Sequence, residues 1–248
     1  MKSCFVILFL LVTTLAQTQI LNIEERRLIT DTTGWSGTLS ANISASQNTR
    51  SFFSSGANGN IQLKSNKNLY LLFGGINFVS AGGNDFNNAG FGHLRYNRKV
   101  NDLLRIELFT QIQYNSLTKI TSRILNGAGI RLKLSQYETA KFYFGLTYMN
   151  EYEELKNPEI INRDHRLSSY LTFTLNPVKA ISFRNTTYVQ PKFGEVYDYR
   201  LSNDTSMFFK INKHLRLVTQ FHYLYDSRPP ADVPSVNYEV TNGLAFSF

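Results

Sequence analysis

The feature that most constrains the fold is a two-residue alternation of apolar and polar side chains, which runs from Trp35 to the C-terminus. Residues 102–115 show it most clearly. One face of this segment carries Leu104, Ile106, Leu108, Ile112 and Tyr114, and the other carries Arg105, Glu107, Gln111, Gln113 and Asn115. Successive side chains of a strand point to opposite faces, whereas helical spacing would mix these two sets. The segment is therefore predicted to be a β-strand.

About twelve segments follow this pattern. They cover residues 33–46, 50–64, 68–79, 88–97, 102–115, 120–134, 140–152, 166–175, 180–190, 197–210, 214–226 and 236–248. Their connections differ in length. The tight turns are at 65–67, 176–179 and 211–213, and the longer connections are at 80–87, 153–165 and 227–235. Short periplasmic turns and longer outer loops are typical of outer-membrane barrels. The predicted fold class is all-β, a transmembrane antiparallel β-barrel of about 12 strands of the outer-membrane type.

The N-terminus has the pattern of an export signal. Lys2 precedes an unbroken apolar run at residues 5–12, and Thr14-Leu15-Ala16 places small residues before a cleavage point. The run is too short to span a bilayer, which needs about 20 residues. We predict a signal peptide over 1–16, a periplasmic segment over 17–32 and the barrel over 33–248. The single cysteine, Cys4, lies in the signal peptide, so we expect no disulfide in the mature chain.

A lipocalin-type soluble barrel would also alternate, but it would place the apolar face inside. Here the polar face is rich in Gly, Arg, Ser, Thr and Gln. About twelve strands are also more than the number found in a small barrel whose interior is filled by side chains. Charged residues make up 18% of the chain, against about 25% for a soluble domain. No other segment is apolar enough for a membrane helix, so insertion would require a closed barrel. We predict the outer membrane of a Gram-negative bacterium as the location and its lipid as a partner.

The last eight residues support this prediction. Gly243, Phe246 and Phe248 are spaced as in the C-terminal β-signal, in which a glycine, a hydrophobic residue and a final aromatic residue occur at fixed offsets. This resemblance implies the barrel-assembly machinery as a partner. Many soluble strands also end in Phe. The C-terminal pattern therefore supports an outer-membrane barrel only together with the predicted signal peptide and the two-residue alternation.

Several short stretches carry a second resemblance. They are Asn22-Ile23-Glu24 before Gly34-Trp35-Ser36-Gly37, then Leu94-Arg95-Tyr96, Arg123 with Gly127-Ala128-Gly129, Asp198-Tyr199-Arg200, and Tyr225-Asp226-Ser227-Arg228-Pro229-Pro230. Together they resemble the YdiY-like salt-induced outer-membrane β-barrel family, a domain of unknown function. The turn Gln47-Asn48-Thr49 departs from the family pattern, where a Gly-Asn pair is expected. The resemblance implies a barrel linked to salt or acid stress and transfers no catalytic residues.

The predicted inward face carries more bases than acids. The bases are Arg95, Arg105, Arg123, Arg131, Lys133, Lys141, Arg184, Arg200, Lys210 and Arg216, and the acids are Glu107, Glu151, Asp204, Asp226 and Glu239. Because charges in a low-dielectric wall focus the field, such a lumen would favour anions. One hypothesis is therefore a narrow, anion-preferring channel for small solutes. The alternative is a plugged structural or surface-interaction barrel, in which pairs such as Arg123–Glu151 and Arg200–Asp226 brace the wall.

A third class is an outer-membrane hydrolase, which would use His with Ser, Asn or Asp. His222 and Asp226 share one predicted face, and Asp164 precedes His165, but neither pair comes with a nucleophile motif. We therefore predict no enzyme and no cofactor. The mature chain has no Cys and scattered His, which disfavours a metal site. Nucleic-acid binding is disfavoured because the bases alternate inward and form no surface patch.

Overall fold

The computed structural model describes residues 33–47, 51–82, 84–135, 137, 139–156, 160–212 and 215–246. Within them lie twelve strands. They are β1 (Gly34–Gln47), β2 (Ser51–Lys64), β3 (Asn68–Ala81), β4 (Asn84–Lys99), β5 (Leu104–Asn115), β6 (Ile120–Lys133), β7 (Ala140–Leu155), β8 (Ile160–Val178), β9 (Ile181–Lys192), β10 (Glu195–Lys210), β11 (Leu215–Asp226) and β12 (Val236–Phe246). The predicted all-β class and strand number are confirmed. No helix long and apolar enough to cross a membrane occurs among the described residues.

The strands form one antiparallel meander in which each strand pairs with its neighbours in sequence, from β1 to β12. The sheet curls on itself, as contacts between inward side chains of strands that are not neighbours show. Tyr170 on β8 donates a hydrogen bond to Glu107 on β5 at 2.6 Å, and Arg200 on β10 contacts Glu151 on β7. We call the end where β1 begins and β12 ends the terminus end, and the opposite end the loop end.

Burial alternates along the strands as the sequence pattern predicts. On β5, Glu107, Gln111 and Gln113 are buried, whereas Ile106 and Ile112 are exposed. Exposed apolar side chains recur at outward positions around the sheet, among them Leu39, Ile43, Ile76, Leu108, Leu171 and Leu217. The outer surface is therefore apolar and the interior largely polar, with a small apolar cluster around the inward residues Leu71 and Phe73 of β3. This is the arrangement of a transmembrane barrel.

Two of the three predicted long loops are wrong. β3 continues to Ala81 and β4 begins at Asn84, so residues 80–87 are mostly strand. Likewise, β7 continues to Leu155 and β8 begins at Ile160, so residues 153–165 are mostly strand. The Gly, Asn and charged residues of these segments are typical of loops. Strand pairing nevertheless satisfies their backbone N–H and C=O groups, also where the strands extend beyond the apolar band. The connection at 227–235 is a loop, as predicted.

The predicted signal peptide at 1–16, the segment at 17–32, the turn residues Asn48 and Thr49, and the final Phe248 lie outside the described residues. Within β12, Gly243 pairs with Val218 and Phe246 pairs with Leu215 of β11.

Candidate functional site

A cluster of charged side chains crosses the interior towards the loop end. This outer ionic cluster comprises Arg123, Glu151, Glu153, Asp164, Arg166, Lys192, Asp198, Arg200 and Asp226, which come from six consecutive strands, β6 to β11. Each of them occupies an inward position. The strands thus bring together residues that are up to about a hundred positions apart in the sequence.

Glu151 is the centre of the cluster. Its carboxylate contacts the guanidinium groups of Arg123 and Arg200, and Arg166 Nε lies 2.8 Å from Glu151 Oε2. The side chains of Arg123 and Glu151 are fully buried. Because an isolated buried charge is strongly unfavourable, such groups are stable only when they are paired and hydrogen-bonded together.

The other acids complete the cluster. Arg200 Nε lies 3.0 Å from Asp226 Oδ2, and Arg166 Nη2 lies 3.0 Å from Asp198 Oδ1. Lys192 Nζ lies 3.1 Å from Asp164 Oδ1. Four bases therefore meet five acids, and the outer ionic cluster carries no positive excess.

The structure places Arg123 beside Glu151 and Arg200 beside Asp226, the two pairs named from the sequence. Sequence reasoning did not assign Glu153, Asp164, Arg166, Lys192 and Asp198 to the lumen. Glu153 and Asp164 were assigned to a loop. The sequence gives no alternation signal here, because residues 163–166 are all charged or polar.

A second group lies deeper in the barrel. Glu107 is buried between Arg131 Nη1 at 3.7 Å and Arg95 Nη1 at 3.8 Å, and it accepts the hydrogen bond from Tyr170. His93 contacts Gln111 at 2.8 Å. Two predicted lumen bases therefore share one predicted lumen acid.

The two His–Asp pairs considered for a hydrolase are not brought together. His222 Nδ1 contacts Asp204 and pairs in register with Glu239, whereas Asp226 binds Arg200. His165 contacts the outward-facing Tyr148 hydroxyl, while Asp164 points inward to Lys192. The described residues contain no group of three or more His, Cys, Asp or Glu arranged to hold a metal ion.

The remaining predicted bases lie near the terminus end. Arg105, Lys141 and Arg216 are the second residues of β5, β7 and β11, and Arg184 is the fourth residue of β9. Lys133 and Lys210 are the last residues of β6 and β10. Close by, Lys99 contacts Asp102 in the β4–β5 turn and holds the pKa of that carboxyl below its ordinary value.

The inward face of β1 differs from the inward faces of the central strands. Ser36 on β1 pairs with Gln62, a buried inward residue of β2, so Thr38, Ser40 and Asn42 also point inward. These small polar side chains are exposed, whereas most inward side chains of β5 to β10 are buried. Side chains on the outward face of β1 are exposed as well, and among the described residues β1 pairs with β2 but not with β12, so β1 lies at an edge of the sheet.

The loop at 227–235 covers the loop end beside the outer ionic cluster. A cavity beneath it is lined by Leu224, Pro229 and Val233 and by the Arg200–Asp226 pair. Lys119, in the β5–β6 turn, contacts Asp232 of this loop. The loop is thus tied to the opposite part of the rim.

The family model described as "Protein of unknown function, DUF481" matches residues 30–248. No curated protein matches the sequence. Among solved structures, the NanC porin is similar with a TM-score of 0.49 and 12% identity, over 86% of this chain and 99% of that one. The translocator domain of the autotransporter NalP from Neisseria meningitidis has a TM-score of 0.44 and 10% identity, over 88% of this chain and 90% of that one.

Proposed function

Because the chain belongs to the DUF481 family of proteins of unknown function, we propose a function from its geometry: an outer-membrane β-barrel that passes small solutes, preferentially anions, through a narrow opening beside β1. The terminus end would lie in the periplasm and the loop end outside the cell, as an even number of strands requires. The family resemblance seen in the sequence suggests a link to salt or acid stress.

The small, neutral inward side chains of β1 carry this proposal. The inward face of β1 bears small neutral side chains such as Thr38, Ser40 and Asn42, which leave room for solute. The bases near the terminus end give the lumen its positive excess, since the outer ionic cluster has four bases and five acids. A positive field in a low-dielectric wall lowers the barrier for anions and raises it for cations.

The test is single-channel conductance of the refolded mature protein in planar bilayers, with a salt gradient to measure ion selectivity. We expect discrete current steps and a reversal potential of the sign for anions. Replacing Arg95, Arg105 and Arg131 by Gln should lower the anion preference. Replacing Arg98, Arg163 and Lys179, which lie outside the interior, should not change it. Equal selectivity in both variants would contradict the anion channel.

Arg95 and Arg131 support buried Glu107, so their loss could prevent folding. Replacing Arg105 and Arg184 alone therefore serves as a second test. Both lie near the terminus end, away from the outer ionic cluster. Heat-modifiable migration on gels would show that each variant has folded.

A plugged barrel without transport is the second candidate, and the outer ionic cluster favours it. Nine charged side chains and the loop at 227–235 occupy much of the loop end. Absence of current from a folded barrel would support this reading. We propose no enzymatic role, and lipase or protease turnover abolished by His222→Ala would overturn that view.

A further inference from the structure

Eight basic side chains occupy the terminus end of the barrel, each on a different strand. This basic ring comprises Lys64 (β2), Lys99 (β4), Arg105 (β5), Lys133 (β6), Lys141 (β7), Arg184 (β9), Lys210 (β10) and Arg216 (β11). Lys64, Lys99, Lys133 and Lys210 are the last residues of their strands. Arg105, Lys141 and Arg216 are the second residues of theirs, and Arg184 is the fourth.

The strand period places all eight on the inward face. Lys64 is two residues from buried Gln62, Lys99 two from buried Asn97, and Lys133 two from buried Arg131. Arg105 is two residues from buried Glu107, and Arg184 two from buried Thr186. The Arg184 guanidinium also lies over the ring of Phe208, an inward residue of β10, at 6.0 Å.

Acids are scarce at this end. Among the described residues, Asp102 in the β4–β5 turn is the acid beside the ring, and Lys99 contacts it. Counted over the described residues alone, these eight bases and Asp102 leave an excess of seven positive charges. At the other end, the outer ionic cluster has four bases and five acids, so the charge of the interior is strongly asymmetric along the barrel.

We propose that the basic ring binds a small multivalent oxyanion, of the phosphate or carboxylate class, at the terminus end. Like charges around a low-dielectric wall repel, and an anion between them relieves that repulsion. Arg forks match phosphate and carboxylate oxygens, while Lys supplies mobile point charges. An anion with several charged groups reaches bases on several strands at once, which a monovalent ion does not. This inference deepens the proposed function by naming the ligand class and the end of the barrel.

The experiment is calorimetric titration of inorganic pyrophosphate into the refolded mature barrel in detergent, in phosphate-free buffer at constant ionic strength. We expect saturable binding. Replacing Arg105, Lys133 and Lys141 by Gln should weaken it roughly ten-fold or more, because charge-assisted contacts are lost. The matched control replaces Lys67, Arg98 and Lys179, which lie at the same end but in turns or on the outward face. It should bind as the wild type does.

Absence of saturable binding, or equal weakening in both variants, would overturn the proposal. Each variant is first checked for heat-modifiable migration. If the triple variant does not fold, the single substitutions Arg105→Gln and Lys141→Gln are titrated instead, and each should weaken binding.

A bilayer measurement separates this inference from the channel itself. Pyrophosphate added on the terminus side should reduce the chloride current at lower concentration than pyrophosphate added on the loop side. A single cysteine introduced into the 227–235 loop would report which side each end faces. If a barrel that carries no current still binds pyrophosphate, the channel proposal is contradicted and anion binding by the basic ring is supported. If the barrel carries current but neither binds pyrophosphate nor is blocked by it more strongly from the terminus side, only the proposal of anion binding by the basic ring is contradicted.

Discussion

Lys119 and Asp232 lie 113 residues apart in the sequence, and their side chains meet across the mouth of the barrel. Lys119 Nζ donates to Asp232 Oδ2 at 2.9 Å and to the Ala231 carbonyl oxygen at 2.7 Å. Both residues have positive φ, 59° and 63°, and they are the two non-glycine residues of the described chain that do. Such backbone is unfavourable without a glycine and persists where surrounding contacts hold it.

Lys119→Met should release the 227–235 loop without unfolding the barrel. Asp232 is exposed, so the pair stabilises the protein by less than about 1 kcal/mol. We expect faster cleavage of this loop by proteinase K in intact outer membranes, with unchanged heat-modifiable migration. Lys156→Met, in the neighbouring β7–β8 connection, is the control. Equal cleavage rates in both variants would show that the contact does not hold the loop.

Glu151→Gln should be the most destabilising single change in the outer ionic cluster. It removes the charge that Arg123, Arg166 and Arg200 share, and breaking a buried pair costs about 3–5 kcal/mol. Urea unfolding in lipid vesicles would measure the loss through the fluorescence of Trp35, the single tryptophan.

The matched control for this change is Glu154→Gln on the same strand. Glu154 points outward and accepts a hydrogen bond from Tyr152. We expect the control to lose less than about 1 kcal/mol. Similar free energies of unfolding for the two variants would contradict a central role for Glu151.

The sequence predicts the inward and outward faces because a strand has a fixed period of two. This rule placed Arg123, Glu151, Arg200 and Asp226 on one side of the wall without any knowledge of register. It does not predict which strands face each other across the interior. The contact of Arg200 with Glu151, three strands away, depends on barrel curvature and tilt, which no local pattern encodes.

Arg166 shows where the sequence reasoning failed. Its segment was taken to start a strand after a charged loop, so its place in the interior was not considered. In the structure β8 begins six residues earlier, and Asp164 and Arg166 both point inward. Charged residues are depleted in strands on average, so their density argued for a loop. In a barrel with a polar interior the same residues fit a strand.

Gly129→Ala should disrupt the pairing of β6 with β7. A methyl group at this inward position would overlap the Leu146 carbonyl oxygen and the Thr147 Cα, which belong to the backbone and cannot rotate away. We expect a loss of about 2–3 kcal/mol in the free energy of unfolding. Gly74→Ala is the control, since its nearest neighbour would be the Phe91 carbonyl oxygen at 3.6 Å. A loss in the control as large as in Gly129→Ala would assign the effect to strand glycines in general.

Phe248→Ala should lower the amount of assembled barrel in cells. The final aromatic residue belongs to the predicted β-signal with Gly243 and Phe246, and the assembly machinery would read it before the strands close. The measurement is the heat-modifiable fraction in outer membranes, with Phe193→Ala, an exposed aromatic at the loop end, as the control. Refolding into detergent needs no machinery, so it should proceed equally for both variants. If Phe248→Ala impaired refolding as much as cellular assembly, the residue would act through barrel stability, and its role as a recognition signal would be wrong.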